Sequence, residues 1–216
     1  SGWDVKRFYK MLVASATYRQ AALITPEKIE KDRDNSLLSR GPRFRMDAEM
    51  IRDYALAASS TLSPRMGGPG TMPYQPENVW EVVGMGTEKY TQDKGENLYR
   101  RTLYNIWKRM APPASMDIFT RNLAQRALST VKGDDAAKLT MIAERLLARP
   151  LHAKELPILQ TSLTELRAHY GASIADAEAL LKVGETTVDS KLSKPELAAW
   201  TMVCNQLMNL DEVLNK

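Results

Sequence analysis

The sequence predicts a mainly α protein: an irregular helical domain with a small strand component and a long ordered Pro/Gly loop. Three observations carry that expectation. From residue 134 onward, apolar residues recur at helical spacing with little interruption. Two segments within the first 62 residues show the same spacing, each behind a capping aspartate. Between them and the second half lies "SPRMGGPGTMPYQPENVW", Ser63–Trp80, whose three glycines and four prolines exclude a regular element.

In chain order, "WDVKRFYKMLVASATYRQ" reads as a helix capped by Asp4, with Val5, Phe8, Tyr9, Leu12, Val13 and Ala16 on one apolar stripe. "TPEKIEKDRDNSLLSRGPRFR" is polar and punctuated and reads mostly as loop. "MDAEMIRDYALAASSTL" gives a second helix capped by Asp47, with Met50, Ile51, Tyr54, Ala55, Ala58 and Leu62 facing inward. "WEVVG" after the Pro/Gly loop is a short strand or turn. "YRRTLYNIWKRM", Tyr99–Met110, is rich in aromatics and favours a strand; the alternative is a helix with Leu103, Ile106, Trp107 and Met110 as its stripe. Pro112 and Pro113 end it either way.

The second half reads as helices throughout. "DDAAKLTMIAERLLA" places Leu139, Ile142, Ala143, Leu146 and Leu147 on one face. "HAKELPILQTSLTELRAHYG" places Leu156, Leu159, Leu163, Leu166 and Tyr170 together, with Gly171 as the expected C-cap. "SIADAEALLKVG" is a short helix ending at Gly184. The last helix opens with Ser193 and Glu196 in capping-box spacing and turns Leu197, Trp200, Cys204, Leu207 and Met208 inward. Trp200 and Leu207 need partners, so this helix is expected to pack against the first half. The chain 1–216 then forms one domain, with a basic, loop-rich half (1–120) and a helical half (121–216).

The totals narrow the function classes. The 216 residues carry a net charge of +4, and residues 1–120 hold all of it, with 18 Lys/Arg against 14 Asp/Glu. That excess is too small and too dispersed for a nucleic-acid binder. No apolar run approaches the roughly 20 residues of a membrane span. One cysteine and two histidines, Cys204, His152 and His169, allow no internal disulfide and give no zinc-ligand pattern. The start at Ser1, without a charged-then-apolar leader, reads as a processed or excerpted piece of something longer.

Candidate chemistry is sparse. Cys204 lies on an apolar helix face and reads as a core residue, without the electropositive setting a nucleophile needs. Asp47, Glu49 and Asp53 share a helix with arginines at hand and read as a salt-bridged face. The Pro/Gly loop lacks the Lys-Ser/Thr and the helix of a phosphate-cradling loop. The strongest candidate is the basic and aromatic set Arg100, Arg101, Tyr104, Trp107, Lys108 and Arg109, with Arg43, Arg45 and Glu96 as further members. Guanidinium and aromatic groups together stack on sugar rings and fork onto carboxylates or sulfates. Composition alone favours the other reading of the same residues, a buried aromatic strand whose arginines pair with neighbouring acids.

Five segments carry a family resemblance: "GWDVKRFYKMLVASATYRQ", "RFRMDAEMIRD", "MGGPGTMPYQPENVW", "YTQDKGENLYRRTLYNIWKRMAPPASMDIF" and "LSKPELAAWTMVCNQLMNLDEVLNK". On them the chain resembles a planctomycete-specific C-terminal domain of unknown function, numbered fifteen fifty-three. The resemblance implies an extracytoplasmic protein with an upstream companion domain and often a c-type cytochrome module. This chain has no Cys-x-x-Cys-His, so haem c would belong to a separate module and no cofactor to this one. Members of the family carry a further segment after the equivalent of Phe119, so a few dozen residues are expected to be missing near 119–123. His152 stands where the family pattern has a capping Thr or Ser.

The leading functional expectation is therefore a binding or assembly module of a multidomain envelope protein, contacting its companion domain and a glycan. An enzyme acting on sulfated or uronic polysaccharide is one alternative, with an acid from Asp47, Glu49, Asp53 or Glu96; a scaffold for a cytochrome partner is the other.

Overall fold

The computed structural model describes residues 2–75, 90–106, 117–183 and 187–215, with no side-chain description at 117 and 118. Trp107, Lys108, Arg109, the "WEVVG" run and Gly184 lie outside the described residues. The chain divides into two compact units, Ser1–Met46 with Asn215–Lys216, and Asp47–Leu214.

The first unit holds α1 (Val5–Ala14) and α2 (Pro26–Lys31). Asp4 caps α1 as expected, accepting from the Arg7 N–H at 3.0 Å. None of the α1 residues is buried. Helix α2 falls where loop was expected; Thr25 caps it by accepting from the Lys28 N–H, and Pro26 sits in its first turn, where a missing N–H costs nothing. The polar run behind it is tied down rather than free. Asp32 accepts from the Leu37 and Ser39 N–H groups, and Arg40 donates to the Asp32 and Arg33 carbonyls. Burial works against the Asp32 carboxylate, yet these N–H groups hold it below the ordinary carboxylate range. Gly41 is required here, because a Cβ would lie 2.6 Å from the Gln20 carbonyl oxygen.

The second unit is helical: α3 (Ala48–Ala58), α4 (Asp117–Thr130), α5 (Asp135–Leu147), α6 (Glu155–Ala172), α7 (Ile174–Lys182), α8 (Lys194–Met208) and α9 (Asp211–Leu214). Helix α8 is its axis. Leu197, Trp200, Cys204, Leu207 and Met208 are buried as expected, and so are Ala198, Ala199, Thr201 and Val203. The small and β-branched residues on its other faces let α4, α6 and α7 close around it. Leu139, Ile142, Ala143, Leu146 and Leu147 of α5 are all buried, as the spacing predicts. Ala55, Leu56 and Ala58 of α3 share this core with Trp200, so residues 47–58 and the helical half are built on one hydrophobic cluster. Cys204 is fully buried there, and burial pushes its thiol up, away from thiolate chemistry. Among the described residues, no helix is long and apolar enough to cross a membrane.

Several local expectations need correction. The buried face of α3 is Arg52, Ala55, Leu56 and Ala58, continuing to Ser59, whereas Met50 is exposed. The periodicity counts Arg52 as polar and therefore outward, which sets the stripe on the wrong side of Leu56. Over its described part, 99–106, the segment expected as a strand instead holds the end of one 3-10 turn, Gly95–Tyr99, and a second, Thr102–Tyr104. Pairing is confined, among the described residues, to two isolated bridges, Arg45 with Asn215 and Thr71 with Asn105. Gly171 does not end α6, which runs to Ala172; Ser173, non-helical at φ −126° and ψ 88°, makes the break before α7. Ser193 makes no side-chain cap, and the Glu196 carboxylate goes to Arg167 and the Trp200 indole N–H instead of completing a capping box. At the start of α6 the Glu155 carboxylate accepts from the His152 N–H at 2.7 Å and the Glu155 N–H donates to the His152 carbonyl, while the N-cap Lys154 makes no side-chain cap.

Candidate functional site

The expected aromatic and basic segment and the Pro/Gly loop meet above α3. Two adjacent α3 residues organise them. Arg52 is 3% exposed and donates to the Arg100 carbonyl at 2.8 Å, the Leu98 carbonyl at 2.8 Å and Thr102 Oγ1 at 3.1 Å. Asp53 Oδ1 accepts from the Thr102 N–H at 2.7 Å and the Thr102 hydroxyl at 2.6 Å. These bonds give the 95–104 segment, which has no ladder partner, the hydrogen bonds its irregular backbone needs. They are why it turns rather than extends. Burial pulls Arg52 down to about 10, opposed by Asp53 and Tyr90.

Arg100 faces the interior, 1% exposed. Its Nη1 donates to the Pro69 carbonyl at 3.0 Å, its Nη2 donates to the Gly67 carbonyl, and its guanidinium lies 3.9 Å from the centre of the Tyr104 ring. Tyr104 in turn accepts the Gly67 N–H on its hydroxyl at 2.7 Å. The loop is closed further along by the Thr71 N–H donating to the Tyr104 carbonyl at 2.7 Å and the Ile106 N–H to the Thr71 carbonyl at 2.8 Å. At its start, Ser63 donates its N–H to the Tyr99 carbonyl and its hydroxyl to Glu96 Oε1 at 2.6 Å. Asp93 accepts from the Met72 N–H at 2.8 Å, and the Tyr90 hydroxyl donates to the Pro73 carbonyl. Burial, then the Asp93 charge, pushes the Tyr90 phenol up to about 12. Over its described residues, 63–75, the loop is thus held in place, and its glycine turn is held by one buried guanidinium and one phenol.

The candidate residues therefore separate. Arg100 and Tyr104 form the base that holds the loop. Arg101 and Glu96 are exposed. Arg43 and Arg45 belong to the first unit, are exposed, and Arg45 bridges Asn215 through its backbone. Trp107, Lys108 and Arg109 lie outside the described residues. Sequence reasoning misses Arg65, whose exposed guanidinium stands beside Gly68, and it misses the roles of Arg52 and Asp53, which read as part of a surface salt-bridged face. The only signal for Arg52 is its place four residues before the fully buried Leu56, on the same face of α3.

Residues 1–133 match the family described as PSD1, protein of unknown function (DUF1553). The chain belongs to that family. The match takes in Ser1–Met46 of the first unit, α3, the Pro/Gly loop, the 95–104 segment and α4. No curated protein and no solved structure matches the chain.

Proposed function

We propose that this member of the DUF1553 family is an assembly module of a longer envelope protein, and that α1 is the surface by which it docks on the upstream companion portion. The observation that carries the reading is the exposed apolar stripe of α1. Val5, Phe8, Tyr9, Leu12 and Val13 follow the i, i+3, i+4, i+7, i+8 pattern of a helix that lies in a groove, and all five are exposed, Phe8 by 53% and Tyr9 by 61%. A capped helix with an apolar face of this width is ordinarily covered. Lys6 and Lys10 border the stripe, Arg7 follows on the polar side, and the only acid is the capping Asp4. The complementary partner is an apolar groove with an acidic rim. A second copy would bring like charges to the same rim.

The same reading has the protein outside the cytoplasm, any c-type haem on a separate module, and no cofactor on this chain, as the family context implies. A photo-reactive p-benzoylphenylalanine at Phe8 of the full-length protein tests the docking surface, with the same group at the exposed Ile158 as control. Irradiation should link position 8, and not position 158, to a protein segment outside these 216 residues. Links to lipid, to a second copy of this chain, or no link above the control would overturn the proposal.

A further inference from the structure

A separate feature lies in the loop itself and does not depend on α1. We propose that the Gly67–Gly68 turn is an oxyanion site, taking a sulfate or carboxylate group over Gly68 with Arg65 as its direct partner and Arg100 supplying charge from beneath. Gly67 and Gly68 have φ of +76° and +91°, a conformation that side-chain-bearing residues rarely adopt. At Gly68 the point a Cβ would occupy lies 3.8 Å from Arg100 Nη1 and 3.9 Å from Arg65 Nη2. Two guanidinium groups from separate segments thus converge on a single open position above one exposed glycine.

Neither cation has a carboxylate partner among the described residues. The Arg65 guanidinium has no bonded partner there, and Arg100 uses two of its five N–H donors on the Pro69 and Gly67 carbonyls, leaving its buried Nε unpaired. The acids bonded into this loop are engaged elsewhere, Glu96 by the Ser63 hydroxyl and Asp93 by the Met72 N–H. The two like charges flank one point and repel each other, moderately because Arg65 and Gly68 stand in solvent. An anion above Gly68 relieves both. The Gly68 and Gly70 N–H groups also donate to no described residue, so the turn offers backbone donors beside the two cations. The loop is already held by Ser63, Thr71, Arg100 and Tyr104, so binding orders little that is not ordered beforehand.

The test is a titration of the 15N-labelled full chain with sodium sulfate, against sodium chloride at matched ionic strength, followed at the Gly67, Gly68 and Gly70 amides. A sulfated disaccharide forms a second arm. Sulfate should shift these amides saturably, and Arg65→Gln should weaken the effect about tenfold, the usual consequence of losing one charge-assisted hydrogen bond. Lys132→Gln, which removes an exposed cation of another segment, should leave it unchanged. Tighter binding of the disaccharide identifies a sugar-borne anion as the ligand, and equal binding a free one. Shifts matched by chloride, or retained in full by Arg65→Gln, would overturn the site.

Discussion

The arginines of the 47–214 unit work in two different ways, and the regions they occupy explain why. Around the Pro/Gly loop, Arg52 and Arg100 are almost fully buried and bind carbonyl oxygens. In the helical half, Arg149 and Arg167 are 25% and 34% exposed and bind carboxylates: Glu155 and Glu212 in one case, Asp135 and Glu196 in the other. A helix satisfies its own backbone, so a cation beside it finds only side-chain acceptors. An irregular segment leaves carbonyls open, and a buried guanidinium with five donors in a fixed fork can collect several of them. Two helical arginines follow the same rule at helix ends. Arg121 of α4 takes the Leu181 and Val183 carbonyls where α7 stops, and Arg145 of α5 takes the Ala58 carbonyl where α3 stops. The carbonyl-binding arginines define backbone shape; the carboxylate-binding ones staple helices that already have theirs.

The largest effect should follow from removing a carbonyl collector. Arg52→Met keeps an unbranched apolar stem but leaves the Leu98 and Arg100 carbonyls and Thr102 Oγ1 without a donor. We expect a loss of about 4 kcal/mol, since each buried acceptor left unpaired costs about 1–3 kcal/mol. Urea unfolding of the full chain measures it. A loss under about 1 kcal/mol would mean that the 95–104 segment holds its shape without Arg52, and the contrast between the two groups would fail.

The same contrast marks what the sequence makes legible. The stripes of α5 and α8 can be read residue by residue, because a helix buried by its apolar face records its packing in its spacing. The cap of α1 by Asp4 and that of α3 by Asp47 are legible for the same local reason. The turns at 95–104 are not, because the residues that shape them, Arg52 and Asp53, lie some fifty positions earlier in the chain. Arg100 reads as a ligand-facing group because composition does not record whether a guanidinium meets a ligand or a carbonyl. Its neighbour Arg101, with the same surroundings in sequence, is the exposed one. Arg65 draws no notice in a loop dominated by glycine and proline, and only the folded position of Gly68 brings it to Arg100.

The second effect in size separates the two groups by pH. Arg149 holds the Glu155 carboxyl at about 2, against an ordinary value of 4.5, with burial opposing and the His152 N–H assisting. Because the folded value lies below the unfolded one, the stabilisation is fully present above about pH 4.5 and is lost as pH falls through about 2. Glu155 is one-third exposed, so solvent screening leaves about 1 kcal/mol. Hydrogen-exchange protection at the start of α6 should therefore drop between pH 4.5 and 2, while protection at Tyr104, whose N–H donates to the Arg101 carbonyl within the segment that the charged Arg52 holds, should drop less. Arg149→Ala should lower the α6 protection at neutral pH and flatten its acid dependence. An equal acid response at both places would erase the distinction.

The smallest effect isolates burial from distance. Lys194 Nζ lies 2.7 Å from Glu178 Oε1, as close as Arg149 lies to Glu212, but the two side chains are 55% and 42% exposed. The Glu178 carboxyl is held below its ordinary range by Lys194. Water and salt compete for both groups, and fixing two long side chains in one geometry offsets what attraction remains. Lys194→Gln should leave the thermal midpoint unchanged within measurement error, although Lys194 lies in the first turn of the central helix α8. If it instead destabilised the chain as much as Arg149→Ala, separation alone would rank these contacts. The difference between the loop and the helical half would then have to come from something other than the burial of their arginines.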